Sequence, residues 1–149
     1  MIQDEYEFKV VYKDKYTTLS YNEELLMAIC TADSEYIPIG EFKKVFLYVS
    51  EFAESSKIRY FVFDKRNLRT FHQPSMEWYF TIWKPILKEK GLVHHYKILP
   101  DLAWFAKAVE AGKHEIFQKY GNDIIYGINI TYISSIEELL EVLKKDKKD

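Results

Sequence analysis

Three strand-like segments in succession, then a helix, then three strand–helix units: this order constrains the chain more than anything else in its 149 residues. Tyr6, Phe8, Val10 and Tyr12 alternate with Glu7, Lys9 and Val11, the period of two that marks a half-buried strand. Lys13-Asp14-Lys15 has the composition of a tight turn. The Tyr- and Thr-rich Tyr16–Ser20 and the more continuously apolar Leu25–Thr31 follow it. Three such strands on short polar turns predict an antiparallel meander.

The remainder alternates. Phe42, Val45, Phe46, Val49, Phe52 and Ala53 recur at three- and four-residue spacing, one face of a helix, with Pro38 at its first turn. Ile58–Phe63, ending at Asp64, reads as a buried strand. Met76, Phe80, Trp83 and Leu87 mark a second helix from Gln73-Pro74-Ser75 to Gly91. Pro85 lies inside it and predicts a kink, because it lacks an N–H and its ring meets the carbonyl four residues back. Val93–Leu99 is a strand stopped by Pro100. Asp101 is then expected to cap a helix carrying Leu102, Phe105, Ala106 and Val109 on one face. Gly112 is expected to break that helix before a short continuation through Ile116, Phe117 and Tyr120. Ile125–Ile133 is the last strand. Ser134 with Glu137, or Ser135 with Glu138, fits a capping box for a helix with Ile136, Leu139, Leu140 and Leu143 inward. Lys144–Asp149 is a charged tail expected to fray. Alternating strands and helices imply parallel pairing through right-handed crossovers. The expected fold is therefore one α/β domain over residues 1–149. It has a mixed sheet, the meander at one side, and helices mainly on one face.

Charge narrows the function. Lys and Arg total 21 against 23 Asp and Glu, a net charge of −2 without the basic excess of a general nucleic-acid binder. No apolar run approaches the ~20 residues of a membrane span. Met1–Lys9 carries three acids and no apolar signal segment, so the expected location is the cytoplasm. The single cysteine, Cys30, cannot form an internal disulfide. It follows the apolar Leu25–Ile29 and reads as a small buried hydrophobe.

The element order converges with several local matches. These are the strand Ile58–Phe63 ending in Asp64, then Asn67-Leu68, then Trp78 and Pro85 on the next helix, and Ser135-Ile136-Glu137-Glu138-Leu139 opening the last helix. Together they resemble the small SpoIIAA-like domains, the superfamily that groups STAS (anti-anti-sigma-factor-like) and SEC14-like folds, over nearly the whole chain. The resemblance implies a small stand-alone bacterial domain with a mixed sheet and helices along one face. Regulatory STAS proteins carry a phosphorylatable serine just past the strand. Here that place reads Asp64-Lys65-Arg66-Asn67 and is basic. Ser75 and Thr70 are the nearby hydroxyls, and Ser75 at a helix mouth reads as a cap.

Asp64–Ser75 is the most informative stretch for function. Lys65, Arg66, Arg69 and His72 lead into a helix N-terminus, where free N–H groups and the dipole favour an anion. With Asp64 and Ser75 they form the candidate binding loop, for a small anion or an acidic partner. The competing reading is a solvated loop. The aromatic share of 17% adds a second candidate. With Met76, Phe80, Trp83 and Leu87 inward, Trp78 and Tyr79 point elsewhere and read either as an interface or as wrap-around packing. Trp104 is expected in the core. His94 and His95 adjoin on a strand and face opposite ways, and His72 and His114 show no ligand spacing, so no metal or cofactor is called for. No catalytic constellation appears, and the chain does not read as an enzyme. The expected function is a non-catalytic interaction or regulatory module with a protein partner, a homodimer being the ordinary case. The alternative is a small apolar-ligand or lipid-binding SEC14-like domain.

Overall fold

A computed structural model describes residues 6–56, 58–91, 94–121 and 129–148. The elements are β1 (Lys9–Lys13), β2 (Thr17–Asn22), β3 (Met27–Ala32), α1 (Ile39–Ser56), β4 (Tyr60–Asp64), α2 (Gln73–Trp78), a π-helical turn (Tyr79–Trp83), α3 (Lys84–Glu89), β5 (His94–Ile98), α4 (Ala103–Tyr120), β6 (Asn129–Tyr132) and α5 (Ile136–Lys148). The predicted fold class is the one observed. Six strands lie in sequence order in one mixed sheet. β1, β2 and β3 are antiparallel, and β3 to β6 are parallel. Successive crossovers in one direction keep α1, α2–α3 and α4 on the same face. α5 covers the other.

Strand parity sorts the core. Ala28, Cys30, Phe61 and Phe63 face the helix layer, with Phe46, Phe80, Trp83 and Phe105. Met27, Ile29, Val62 and Ile98 face α5, against Ile136, Leu139 and Leu140. Trp83 is fully buried, and its indole N–H donates to the Phe46 carbonyl at 2.6 Å. Cys30 is buried, and desolvation pushes its thiol pKa up, as befits a small hydrophobe.

Several local expectations are corrected. A bulge between Val10 and Tyr12 interrupts β1. The alternation from Tyr6 therefore splits: Tyr6 and Phe8 pack on the α5 side, Tyr12 on the helix side, and Val10 is 60% exposed. Ahead of Pro85 the helix carries a π turn, where the Lys84 N–H reaches back to the Tyr79 carbonyl; proline and π turns are both usual places for a helix to bend. Gly112 does not break α4, which runs unbroken from Ala103 to Tyr120. A Cβ on Gly112 would lie 2.5 Å from Gln73 Oε1 and 2.8 Å from Phe71 Cζ, so the glycine lets α4 approach the start of α2. Leu102, not Asp101, occupies the N-cap of α4, with no side-chain cap. Trp104 is 48% exposed, since Phe105, about 100° further round the helix, takes the inward position. The capping box at α5 is the Ser135–Glu138 alternative: Ser135 Oγ accepts from the Glu138 N–H at 3.1 Å, while the Glu138 carboxylate reaches the Ser134 N–H at 2.6 Å. α5 runs from Ile136 to Lys148. Val93, the stretch 125–128 and Asp149 lie outside the described residues.

Candidate functional site

The cross-strand register creates the site. One row on the helix face runs Tyr12, Leu19, Cys30, Phe63, Lys97, Tyr132. The next runs Tyr21, Ala28, Phe61, His95, Ile130. Two polar side chains of β5 thus enter a layer that is otherwise largely apolar and aromatic.

Lys97 is 3% exposed, with Nζ 4.2 Å from the Tyr79 ring centroid and 5.5 Å from that of Phe80. Lys65, directly after β4, is 8% exposed, with Nζ 5.5 Å from the rings of Phe63 and Phe105. Among the described residues neither Nζ has an ion-pair or hydrogen-bond partner. Burial lowers the Lys65 pKa to about 8, with help from Lys113. Burial holds Lys97 well below the usual lysine range, and Lys65, Lys113 and Lys84 add to the effect. Buried Lys84 stands 4.7 Å from the Phe80 ring and is lowered to about 8, chiefly by desolvation. Cation–π contact compensates part of the lost hydration, but it is weaker than a counter-charge.

Both lysines line one cleft of about 60 Å³ at the carboxyl ends of β4 and β5. Phe42, Phe63, Phe71, Met76 and Phe105 form apolar walls, and Tyr36, Thr70 and His72 contribute at the loops. At roughly 10–15 Å³ per water the space holds about four to six waters, the scale of a small organic acid. Beside it, the Tyr79 hydroxyl and His95 Nδ1 lie 2.6 Å apart. His95 Nε2 is buried without a partner among the described residues, and desolvation keeps the imidazole pKa well below its ordinary value.

The structure separates the residues of the predicted loop. Asp64 lies on the α5 face and is committed to Arg66: Nε donates to Oδ1 at 3.0 Å and Nη2 to Oδ2 at 2.7 Å. Arg69 Nη1 donates to the carbonyls of Arg66 and Leu68, both at 2.8 Å. Neither guanidinium therefore points into the cleft. His72, not Ser75, caps α2: its Nδ1 accepts from the Ser75 N–H at 3.3 Å. The Ser75 hydroxyl lies 2.8 Å from the same nitrogen, buried at the cleft wall. Of the loop's cations, only Lys65 joins the lining with its charge uncommitted. Tyr79 is a further correction, since it is 2% exposed and part of the cleft rather than outward-facing. The π turn adds a residue per turn and rotates it inward. Trp78 is partly buried, edge-on to Phe42 with Lys43 Nζ 6.0 Å from its ring.

The sequence carries a signal for Lys97 that motif spacing does not show. A cation inside Val93–Leu99 violates the near-continuous apolar run of a parallel strand with both faces covered. It also shares parity with His95, so the two belong to one face. Among the described residues no group of three or more His, Cys, Asp or Glu is placed to hold a metal. No described helix is long and apolar enough to cross a membrane.

No protein-family model, curated protein or solved structure matches the chain. The resemblance to SpoIIAA-like domains therefore stands on the sequence features that carry it.

Proposed function

We propose that the chain is a binding module for a small organic anion, acting through the cleft at the carboxyl ends of β4 and β5. One observation carries the reading: Lys65 and Lys97 are buried, uncommitted and line the same cleft. An isolated buried cation costs several kcal/mol, and a counter-charge offsets that cost. A carboxylate seated between the two lysines would supply it, and the apolar walls would accept a short carbon body. Ligand binding would then stabilise the fold by mass action, which is how a small regulatory module of the SpoIIAA-like kind can report a ligand to a partner. The lipid reading fits less well, because about 60 Å³ falls far below the roughly 300 Å³ of ordinary ligand pockets. A partner surface at Trp78 and Tyr79 loses support from the burial of Tyr79.

The test compares propionate with propionamide, equal in shape and different in charge, by thermal shift and calorimetry. Propionate is expected to bind and raise the melting temperature, the amide to do neither, and Lys65→Met or Lys97→Met to abolish the difference. Equal behaviour of acid and amide, or binding unchanged in both variants, would overturn the reading.

A further inference from the structure

The two cleft lysines are not equivalent. Lys97 projects from the middle of the sheet, in register with Phe63 on one side and Tyr132 on the other, which fixes its backbone. Its Nζ sits at the face of Tyr79, with Phe80 alongside, in a cleft with no carboxylate among its described lining residues. Lys65 begins the loop after β4, and its backbone N–H is tied to the Ile98 carbonyl at 2.8 Å. A rigid amine desolvated by aromatic walls and flanked by other cations is the environment that turns a lysine into a nucleophile toward carbonyls. A second cation at the same cleft would orient a carbonyl compound that also bears an acid.

We infer that Lys97 captures the carbonyl carbon of a small 2-oxo acid as a reversible imine, while Lys65 holds the acid's carboxylate. The inference rests on the anion-binding reading above and names its ligand class. The Nζ lone pair attacks the carbonyl carbon, and the carbonyl π pair moves to oxygen, which takes a proton to give a carbinolamine. The nitrogen then supplies the electrons of the C=N bond as the hydroxyl leaves with a proton. Amine plus ketone become imine plus one water, with no change of oxidation state. Burial lowers the basicity of Lys97, the direction a nucleophilic amine requires.

The experiment incubates the intact protein with pyruvate and cyanoborohydride, which delivers hydride to the imine carbon and locks it as a secondary amine. Intact mass and peptide mapping are expected to show one reduced pyruvyl unit, on Lys97, at about ten-fold or more over any other lysine. Lys97→Met is expected to lose the adduct and Lys65→Met to slow its formation. The wild-type map is decisive by itself, so a folding defect in a variant does not blunt the test. An adduct spread over exposed lysines, one centred on Lys65, or none, overturns the inference. Propionate has no ketone and separates the two failures. Propionate binding without an adduct on Lys97 refutes the imine alone, whereas loss of both refutes the anion site as well.

Discussion

At the amino ends of β4 and β5, Lys90 donates to Glu54 at 2.8 Å in a shallow groove lined by Ala53, Ile58, Arg59, Glu89 and Gly91. At the carboxyl ends, Lys65 and Lys97 lie buried against aromatic rings, with no acid among the described residues that line their cleft. The amino-end pair is solvated, and such pairs contribute little to stability. The carboxyl-end lysines lose most of their hydration, and among the described residues no counter-charge replaces it, which opposes folding. An arrangement that works against the fold is a stronger pointer to a ligand than one that is neutral to it.

The largest expected effect breaks the contrast outright. Moving a lysine pKa from 10.5 to about 8 corresponds to roughly 3 kcal/mol against folding. Lys65→Met should therefore stabilise the protein at pH 7 by up to that amount, a rise of roughly 6–12 °C in melting temperature, while abolishing propionate binding. Destabilisation of the variant would show that the lysine is satisfied after all.

The same energy should appear as a pH dependence in the unsubstituted protein. Between about 8 and 10.5 the unfolded chain holds the Lys65 proton and the folded chain does not, so stability rises with pH across that window. Lys97 acts in the same direction. Denaturant melts at pH 7.5, 9 and 10 should show the rise, and Lys65→Met should make it shallower. A fall over this range that is identical in both proteins would contradict the assignment.

Two smaller effects sharpen the boundary of the cleft. Tyr79→Phe leaves both nitrogens of buried His95 unpartnered and should cost about 1–3 kcal/mol in urea melts. Gly112→Ala forces a methyl into Gln73, Phe71 and Met76 and should cost about 1–3 kcal/mol. Because Phe71 and Met76 also line the cleft, it should weaken propionate binding too. A Gly112→Ala protein with unchanged stability would mean that the α4–α2 contact yields easily. The smallest effect is at the opposite end: Glu54→Gln should leave the melting temperature unchanged, and a clear drop would remove the contrast between the two ends of the sheet.

Much of the architecture was legible because it depends on periodicity. Phe42, Val45, Phe46 and Val49 all point inward from α1 as their spacing requires, and Phe61 and Phe63 point toward them from β4. The errors arose where one residue or one contact shifts a period. The bulge in β1 divides an apparently regular alternation between two faces. The π turn before Pro85 brings Tyr79 inward beside Phe80. Gly112 resembles a breaker in isolation and becomes a spacer only when the start of α2 lies against it. Lys65, His72 and Ser75 of the candidate loop line the cleft, whereas its arginines do not. Arg66 and Arg69 are committed to Asp64 and to backbone carbonyls, partners close in sequence but visible only in the folded loop.

The amino-acid sequence by itself determined the element order, the meander followed by parallel units, and the parity that sets His95 and Lys97 on one face. These follow from local sterics and from burial patterns read along the chain. Only the tertiary structure decided that Lys65 and Lys97, 32 positions apart by their numbers, share one cleft with no acid among its described lining residues. That outcome depends on the register between β4 and β5 and on which helices roof them. Unpaired charge is a property of three-dimensional surroundings, and no stretch of neighbouring residues encodes it.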